Sequence, residues 1–255
     1  MNRVVYILAI LCCLACSKKN YLQTEQVQLS APIINADQIF FEETTYASVE
    51  PTQEGASLIY VYDHVATGLY EKPLRVSKSM NVSVTAISEN YIDSETTSLD
   101  LVKLPKEFIL SVDSDRAPSE KYNAGGLDIL IDRNKGERDF NNGWLGYGGD
   151  TISYQLEIEK RNVNAVKIST LRNQKSWIFV PAKVEVYNDN NLIGTTIIDD
   201  AMIQKEDGFV IIDVTLDNVI TSALEVKVIA DRLLPDWHPG VGNKPWIFID
   251  EILIY

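Results

Sequence analysis

Cysteine is nearly absent from this 255-residue chain. Its three Cys stand at positions 12, 13 and 16, so no thiol remains in the part that folds. Disulfides, Cys-bound metals and a Cys nucleophile are thereby excluded, and the fold must hold by its cores. Positive charge is also scarce. Lys and Arg number 23 against 36 Asp and Glu, a formal net charge of −13. No basic stripe interrupts this excess, which excludes nucleic acid as a partner, because phosphates need clustered Lys and Arg. Helical periodicity is missing as well, and parallel βαβ folds go with it. Compact catalytic signatures are not found: there is no GxSxG turn, no Walker loop and no HExxH. Acidic residues are plentiful, as on the solvated faces of an acidic protein. No two of them stand out as the facing carboxylates that glycoside hydrolysis requires.

What is there begins with a targeting segment. Met1-Asn-Arg3 is a short positive start, and Val4 to Leu14 is an apolar run of signal-peptide length. It is too short to span a bilayer as a stable helix. Leu14-Ala15-Cys16-Ser17 follows and resembles the lipobox of bacterial lipoproteins. The resemblance implies removal of residues 1–15, a diacylglycerol on Cys16 and residence at the outer membrane, in the periplasmic leaflet or at the cell surface. Residues 16–30 are polar and read as a tether.

From 31 to 106 the pattern is that of short strands. Leu58-Ile-Tyr-Val-Tyr62 is rich in β-formers, and Val82-Ser-Val-Thr-Ala-Ile87 alternates cleanly. This part resembles the module that ends chitobiases and hexosaminidases, an immunoglobulin-like or fibronectin-like sandwich. Pro32-Ile33, Ile39-Phe-Phe41, Ile59-Tyr-Val-Tyr62 and the Tyr70…Pro73-Leu74 turn carry the resemblance. The module's usual role is spacing, and His64 reads as a surface turn residue.

Leu104-Pro105-Lys106 marks a boundary, and all four Trp (144, 177, 237, 246) lie beyond it. A Gly-, Asn- and Asp-rich loop region, 125–149, precedes strand patterns at 152–158, 166–168, 184–186, 192–198, 209–214, 224–228 and 247–255. The expectation for 107–255 is a β-sandwich of about eight strands, a jelly roll. The whole chain then reads as all-β: a small immunoglobulin/fibronectin-like sandwich, then a galactose-binding-like jelly-roll β-sandwich.

The richest stretch is 235–251. Pro239, Gly240, Gly242 and Pro245 preset its backbone, and Trp237, His238, Lys244 and Trp246 stand between them. Indole faces stack on the C–H faces of sugars, and polar tips take hydroxyls. The same Trp residues can equally serve as core. Arg172, in the polar stretch to Ser176, can add a hydroxyl contact or simply be solvated. Trp144 is expected in the core, and Trp177 can go either way.

This second part is similar to the discoidin, or coagulation factor type C, sandwich. More narrowly, it resembles the version found at the end of Bacteroidetes family-20 β-hexosaminidases. Gly126-Leu-Asp-Ile-Leu-Ile-Asp132, Gly143-Trp144, Ser176-Trp-Ile-Phe-Val-Pro181 and Pro235-Asp-Trp-His-Pro-Gly240 through Glu251 carry that likeness. Arg133 departs from it, since the family has Gly there. Many members hold a structural Ca²⁺, which the resemblance places at Asp132, Glu251 and Asp139. If Glu251 shares a buried face with Ile247, Ile249 and Leu253, it needs a cation or strong donors. If Trp246, Phe248 and Ile252 form the inner row instead, Glu251 faces solvent. The catalytic barrel of the hexosaminidases, with its Asp–Glu pair, has no room in this length.

The reading that follows is a lipid-anchored, non-catalytic carbohydrate-binding protein. It holds hexosamine- or galactose-type glycans for a partner hydrolase or an outer-membrane uptake system. Its alternatives are an adhesive lipoprotein whose sandwich contacts another protein, and a diverged glycoside hydrolase accessory subunit.

Overall fold

The computed structural model describes residues 27–51, 53–62, 65–149, 151–199 and 207–255. The targeting segment, Cys16, most of the tether and His64 lie outside the described residues.

The first part is built of β1 (Ile33–Ala36), β2 (Phe40–Phe41), β3 (Thr45–Glu50), β4 (Ser57–Tyr62), β5 (Val65–Leu69), β6 (Leu74–Val76), β7 (Met80–Ile87) and β8 (Thr97–Lys103). They form two sheets, β1-β3-β6 and β2-β8-β7-β4-β5. The alternation read from the sequence does the work. Val82, Val84 and Ala86 point inward along β7, and Ala47 and Val49 along β3, giving one apolar core between the sheets.

The second part contains β9 (Ile109–Ser114), β10 (Leu145–Tyr147), β11 (Ile152–Arg172), β12 (Lys183–Asn188), β13 (Asn191–Ile197), β14 (Gly208–Ile229) and β15 (Ile247–Ile254). The expected strand pairs 152–158 and 166–168, and 209–214 and 224–228, are each one long strand. β11 and β14 pair antiparallel along nearly their whole length, with register shifts between Glu157 and Arg161 and between Val163 and Ala165. Such bulges bend a strand without ending it. The first half of β11 therefore pairs with β9, and its second half pairs with β15, which pairs in turn with β10. The far half of β14 takes β12, which takes β13. Two layers result, and the main core fills the space between them.

β15 is buried along all eight residues, so neither face meets water. Its inner row is Ile247, Ile249, Ile252 and Ile254, all in the main core. The row changes parity because Ser169 pairs with Glu251 while Thr170 pairs with Ile249, which leaves Asp250 as the extra residue of a bulge. Both expected rows for Glu251 are thereby corrected. It shares no simple face with Ile247 and Ile249, and it is not solvated, being 1% exposed.

The outer face of β15 and β10 is covered in two places. Phe248 joins Trp144, Leu171 and Ile178 in a small second core, as expected for Trp144. Leu253 packs against Phe40 and Val102 of the first part. The Arg133 guanidinium reaches across the same seam to the Pro105 carbonyl at 2.8 Å and to Glu42 at 3.4 Å. The Tyr255 hydroxyl donates to the Lys103 carbonyl at 2.8 Å.

Candidate functional site

The loop from 234 to 243 is closed on itself. Leu234 N–H donates to the Asn243 carbonyl (2.8 Å), His238 N–H to Pro235 (2.9 Å) and Asn243 N–H to Gly240 (3.1 Å). A second loop, 173–178, is closed by reciprocal bonds between Asn173 and Ile178, both at 3.0 Å, and the Asn173 side chain accepts from Ser176 N–H. Backbone bonds join the 173–178 loop to the start of β15: Trp246 N–H to Trp177 O (2.8 Å) and Phe179 N–H to Trp246 O (3.0 Å). Loops satisfied in this way can present rigid side chains to a ligand.

His238 is the pivot of this arrangement, not a contact. It is 4% exposed. Its Nδ1 accepts from Gly240 N–H at 3.0 Å, so Nε2 carries the hydrogen and donates to the Gln174 carbonyl at 2.9 Å. Both nitrogens are used in tying the two loops together. The rings of Trp177, Trp237 and Phe179 stand around the imidazole at 5.6, 5.7 and 5.6 Å, each close to edge-on.

Two of these rings reach solvent. Trp237 is 52% exposed and tilts over Phe179, with centroids 6.2 Å apart. Trp177 is 38% exposed, and its backbone lies in the left-handed region at φ 65°, ψ 18°. For a bulky residue this conformation costs roughly 1–2 kcal/mol and persists where the surroundings demand it. The demand is visible: a Cβ on Gly240 would stand 2.7 Å from the Trp177 ring, so the indole rests on bare backbone there. We expect Gly240→Ala to push this exposed ring outward and weaken ligand binding at least threefold, with a stability loss of about 1 kcal/mol. Ligand titration beside thermal melting would check it, and a rigid ring with unchanged binding would refute it.

The remaining sequence-derived residues are dispersed. Trp246 is half-buried, edge-on to Tyr122 at 5.3 Å, and belongs to the second core. Lys244 is exposed, with its Cβ held over Gly149, where a side chain would find backbone at 2.6 Å. Arg172 corrects its expected place on a polar loop. It is the last residue of β11 and is only 5% exposed, because β14 pairs alongside it through Gly208. The surface that the fold assembles is therefore Trp177 with Trp237, braced by His238 and Phe179. The sequence leaves Trp177 open between core and site and gives no sign of Phe179, since only pairing between the loops brings them together.

The expected calcium ligands divide in the same way. Glu251 is buried, and its Oε2 has no hydrogen-bond partner. Burial, then the nearby carboxylates of Asp250 and Asp132, push its pKa up to about 10, against a backbone hydrogen bond from Arg133. An orphaned oxygen beside a second carboxylate fits a hard cation with oxygen ligands. Asp132 is exposed and accepts from Asn134 N–H at 2.8 Å. Asp139 makes the same kind of local turn, its Oδ1 accepting from the Asn141 backbone (3.0 Å) and side-chain amide (2.7 Å). Among the described residues, no three His, Cys, Asp or Glu side chains gather as a metal group.

One charge pair escaped the sequence reading. Lys135 Nζ lies 2.7 Å from Asp250 Oδ2, with side chains 8% and 1% exposed. Gly136 N–H donates to the same oxygen at 2.6 Å. The ammonium also sits 4.0 Å from the ring centres of both Trp144 and Phe209. Burial pulls Lys135 down and pushes Asp250 up, while their mutual attraction opposes both shifts. Nothing in the strand alternation announces this, because Asp250 is the bulged residue.

No protein-family model and no curated protein matches the chain. Similar solved structures do exist. Chitosan-binding module 1 from a Paenibacillus chitosanase/glucanase is 11% identical, with a TM-score of 0.33, over 57% of this chain and 93% of the module. The CBM32-1 and CBM32-2 domains of Clostridium perfringens ZmpB are 15% identical, with a TM-score of 0.39, over 60% of this chain and 36% of theirs. A CBM32 module from the same organism, solved with GalNAc-beta-1,3-galactose, is 15% identical, with a TM-score of 0.36, over 57% of this chain and 94% of the module. The overlaps are loose, and the chemistry of the site has to come from its own side chains.

Proposed function

We propose that this chain is a non-catalytic glycan-binding protein of the bacterial envelope, tethered through a lipid on Cys16. Sugar rings stack on Trp237 and Trp177. The observation that carries this reading is Trp237, which is 52% exposed on a loop whose own hydrogen bonds hold it still. An apolar ring kept in water at no entropic cost to a ligand is a binding feature. Trp237→Ala should weaken glycan binding at least tenfold, about 1.4 kcal/mol, while moving stability by less than about 0.5 kcal/mol. Array screening followed by titration of the hits tests it. The absence of any glycan hit, or binding indifferent to the substitution, would sink it.

Asp132 and Glu251 would hold a Ca²⁺, with backbone carbonyls of the 133–136 turn completing the shell. Such an ion would neutralise a buried carboxylate and fasten that turn to β15.

A second reading is favoured by one observation. Leu233 (58% exposed) and Val241 (50% exposed) flank Trp237 in the chain, an apolar rim of the kind proteins bury against one another. Capture of one stoichiometric protein partner that Trp237→Ala abolishes, with no glycan binding, would establish that reading in place of the first.

A further inference from the structure

Where the two sandwiches meet, the 132–138 turn faces β1, β2 and the residues between them across a cleft of about 810 Å³. This lies within the range of small-ligand pockets, roughly 300–1,000 Å³, which favour domain junctions. None of the loop-end residues Trp177, Trp237 or His238 lines it.

We propose that this cleft is a second binding site, for a short oligosaccharide of neutral or basic sugars. Its walls carry the planar polar groups that hydrogen-bond hydroxyls: the carboxylates of Asp37 and Glu137, the amides of Gln38 and Asn134, and the Arg138 guanidinium. Phe209 supplies a half-buried ring, with the Arg138 guanidinium carbon 5.6 Å from its centre. Among the described residues, five carboxylates line the cleft against three cations. With Lys135 paired to Asp250, Arg133 to Glu42 and Asp132 given to a cation, the carboxylates of Asp37, Glu107 and Glu137 remain against the guanidinium of Arg138. An acidic sugar, a nucleotide or a phosphate would therefore meet net repulsion, whereas hydroxyls and protonated amines would not.

The floor is built rather than incidental. Lys135, its ion pair and the stacked rings of Trp144 and Phe209 (6.1 Å, 21°) fix the 135–138 turn from below. The Trp144 Nε1–H donates to the Glu137 carbonyl at 2.8 Å, and Glu137, whose carboxylate accepts from the Asn142 amide at 3.3 Å, and Arg138 stand exposed on the cleft wall. This inference is independent of the loop-end reading.

The test is titration calorimetry on the full chain carrying Trp237→Ala, which weakens the loop-end surface at least tenfold. The probes are tetramers of glucosamine, N-acetylglucosamine and galacturonate. At least one of the first two should bind, with galacturonate at least tenfold weaker. Adding Glu137→Ala and Arg138→Ala, both exposed positions, should lower that affinity at least fivefold at an unchanged melting temperature. Amide chemical shifts on titration should move at 37–38 and 134–138. No binding of either tetramer, equal binding of galacturonate, or binding indifferent to the two substitutions would overturn the proposal.

Discussion

Replacing Asp250 with alanine is expected to destabilise the second sandwich by about 3–5 kcal/mol, the largest single effect we foresee. The reason is what the change leaves behind. Lys135 would keep its charge inside a box of Trp144, Phe209 and Phe40, whose ring centres lie 4.0, 4.0 and 5.8 Å from its Nζ, without the carboxylate that now hydrogen-bonds it. Gly136 N–H would lose its acceptor too. Such a lysine must either surrender its proton or pull the turn open. The intact pair is not thereby a large net stabiliser, because burying two ions costs nearly what their attraction returns. Lys135→Met combined with Asp250→Ala should accordingly recover much of the loss, and with wild type and the two single variants it makes four proteins. Urea unfolding of the four proteins closes the cycle. A coupling below about 1 kcal/mol would show that the two groups do not depend on each other.

The second large effect concerns Glu251, and it depends on pH. A carboxyl at about 10 in the folded chain, against an ordinary value of 4.5, is held in its protonated form by folding. Its favourable contribution is complete below the unfolded value. It is lost progressively as pH rises from 4.5 towards about 10. By pH 7 the loss amounts to about 3 kcal/mol. Glu251→Gln keeps the shape and removes the titration. In the presence of chelator it should match the wild type near pH 4 and exceed it by about 3 kcal/mol at pH 7, measured as melting temperature across the range. Calcium at millimolar concentration should then lift the wild type and leave Glu251→Gln where it was. Parallel pH profiles for the two proteins would contradict the burial argument. An unmoved wild type would contradict the cation.

Much of the architecture could be read directly. The alternation at 82–87 and 152–158 is a local, period-two signal, and both stretches became strands with the expected residues inward. Trp144 lies between loop and strand, a position that predicts a core residue, and it is 1% exposed. Proline and glycine in 239–245 announced a fixed loop because they act on their own backbone. In each case the cause lies within a few residues of the effect.

Other features needed the whole chain. Strand breaks expected near 160 and 218 vanished, since polar residues continue a strand when a neighbour supplies its ladder. Trp237 and Trp246 sit in similar settings along the sequence, yet one is in water and the other meets Tyr122 and Phe248. What covers a face is decided by distant elements. The bulge at Asp250 has no local signature, and it alone turns two adjacent acids away from the main core towards Lys135 and the 132–136 turn. Periodicity along the chain determined which segments became strands. The partners stacked on the outer layer, which only the tertiary structure brings together, decided which aromatic and charged groups were left to meet a ligand.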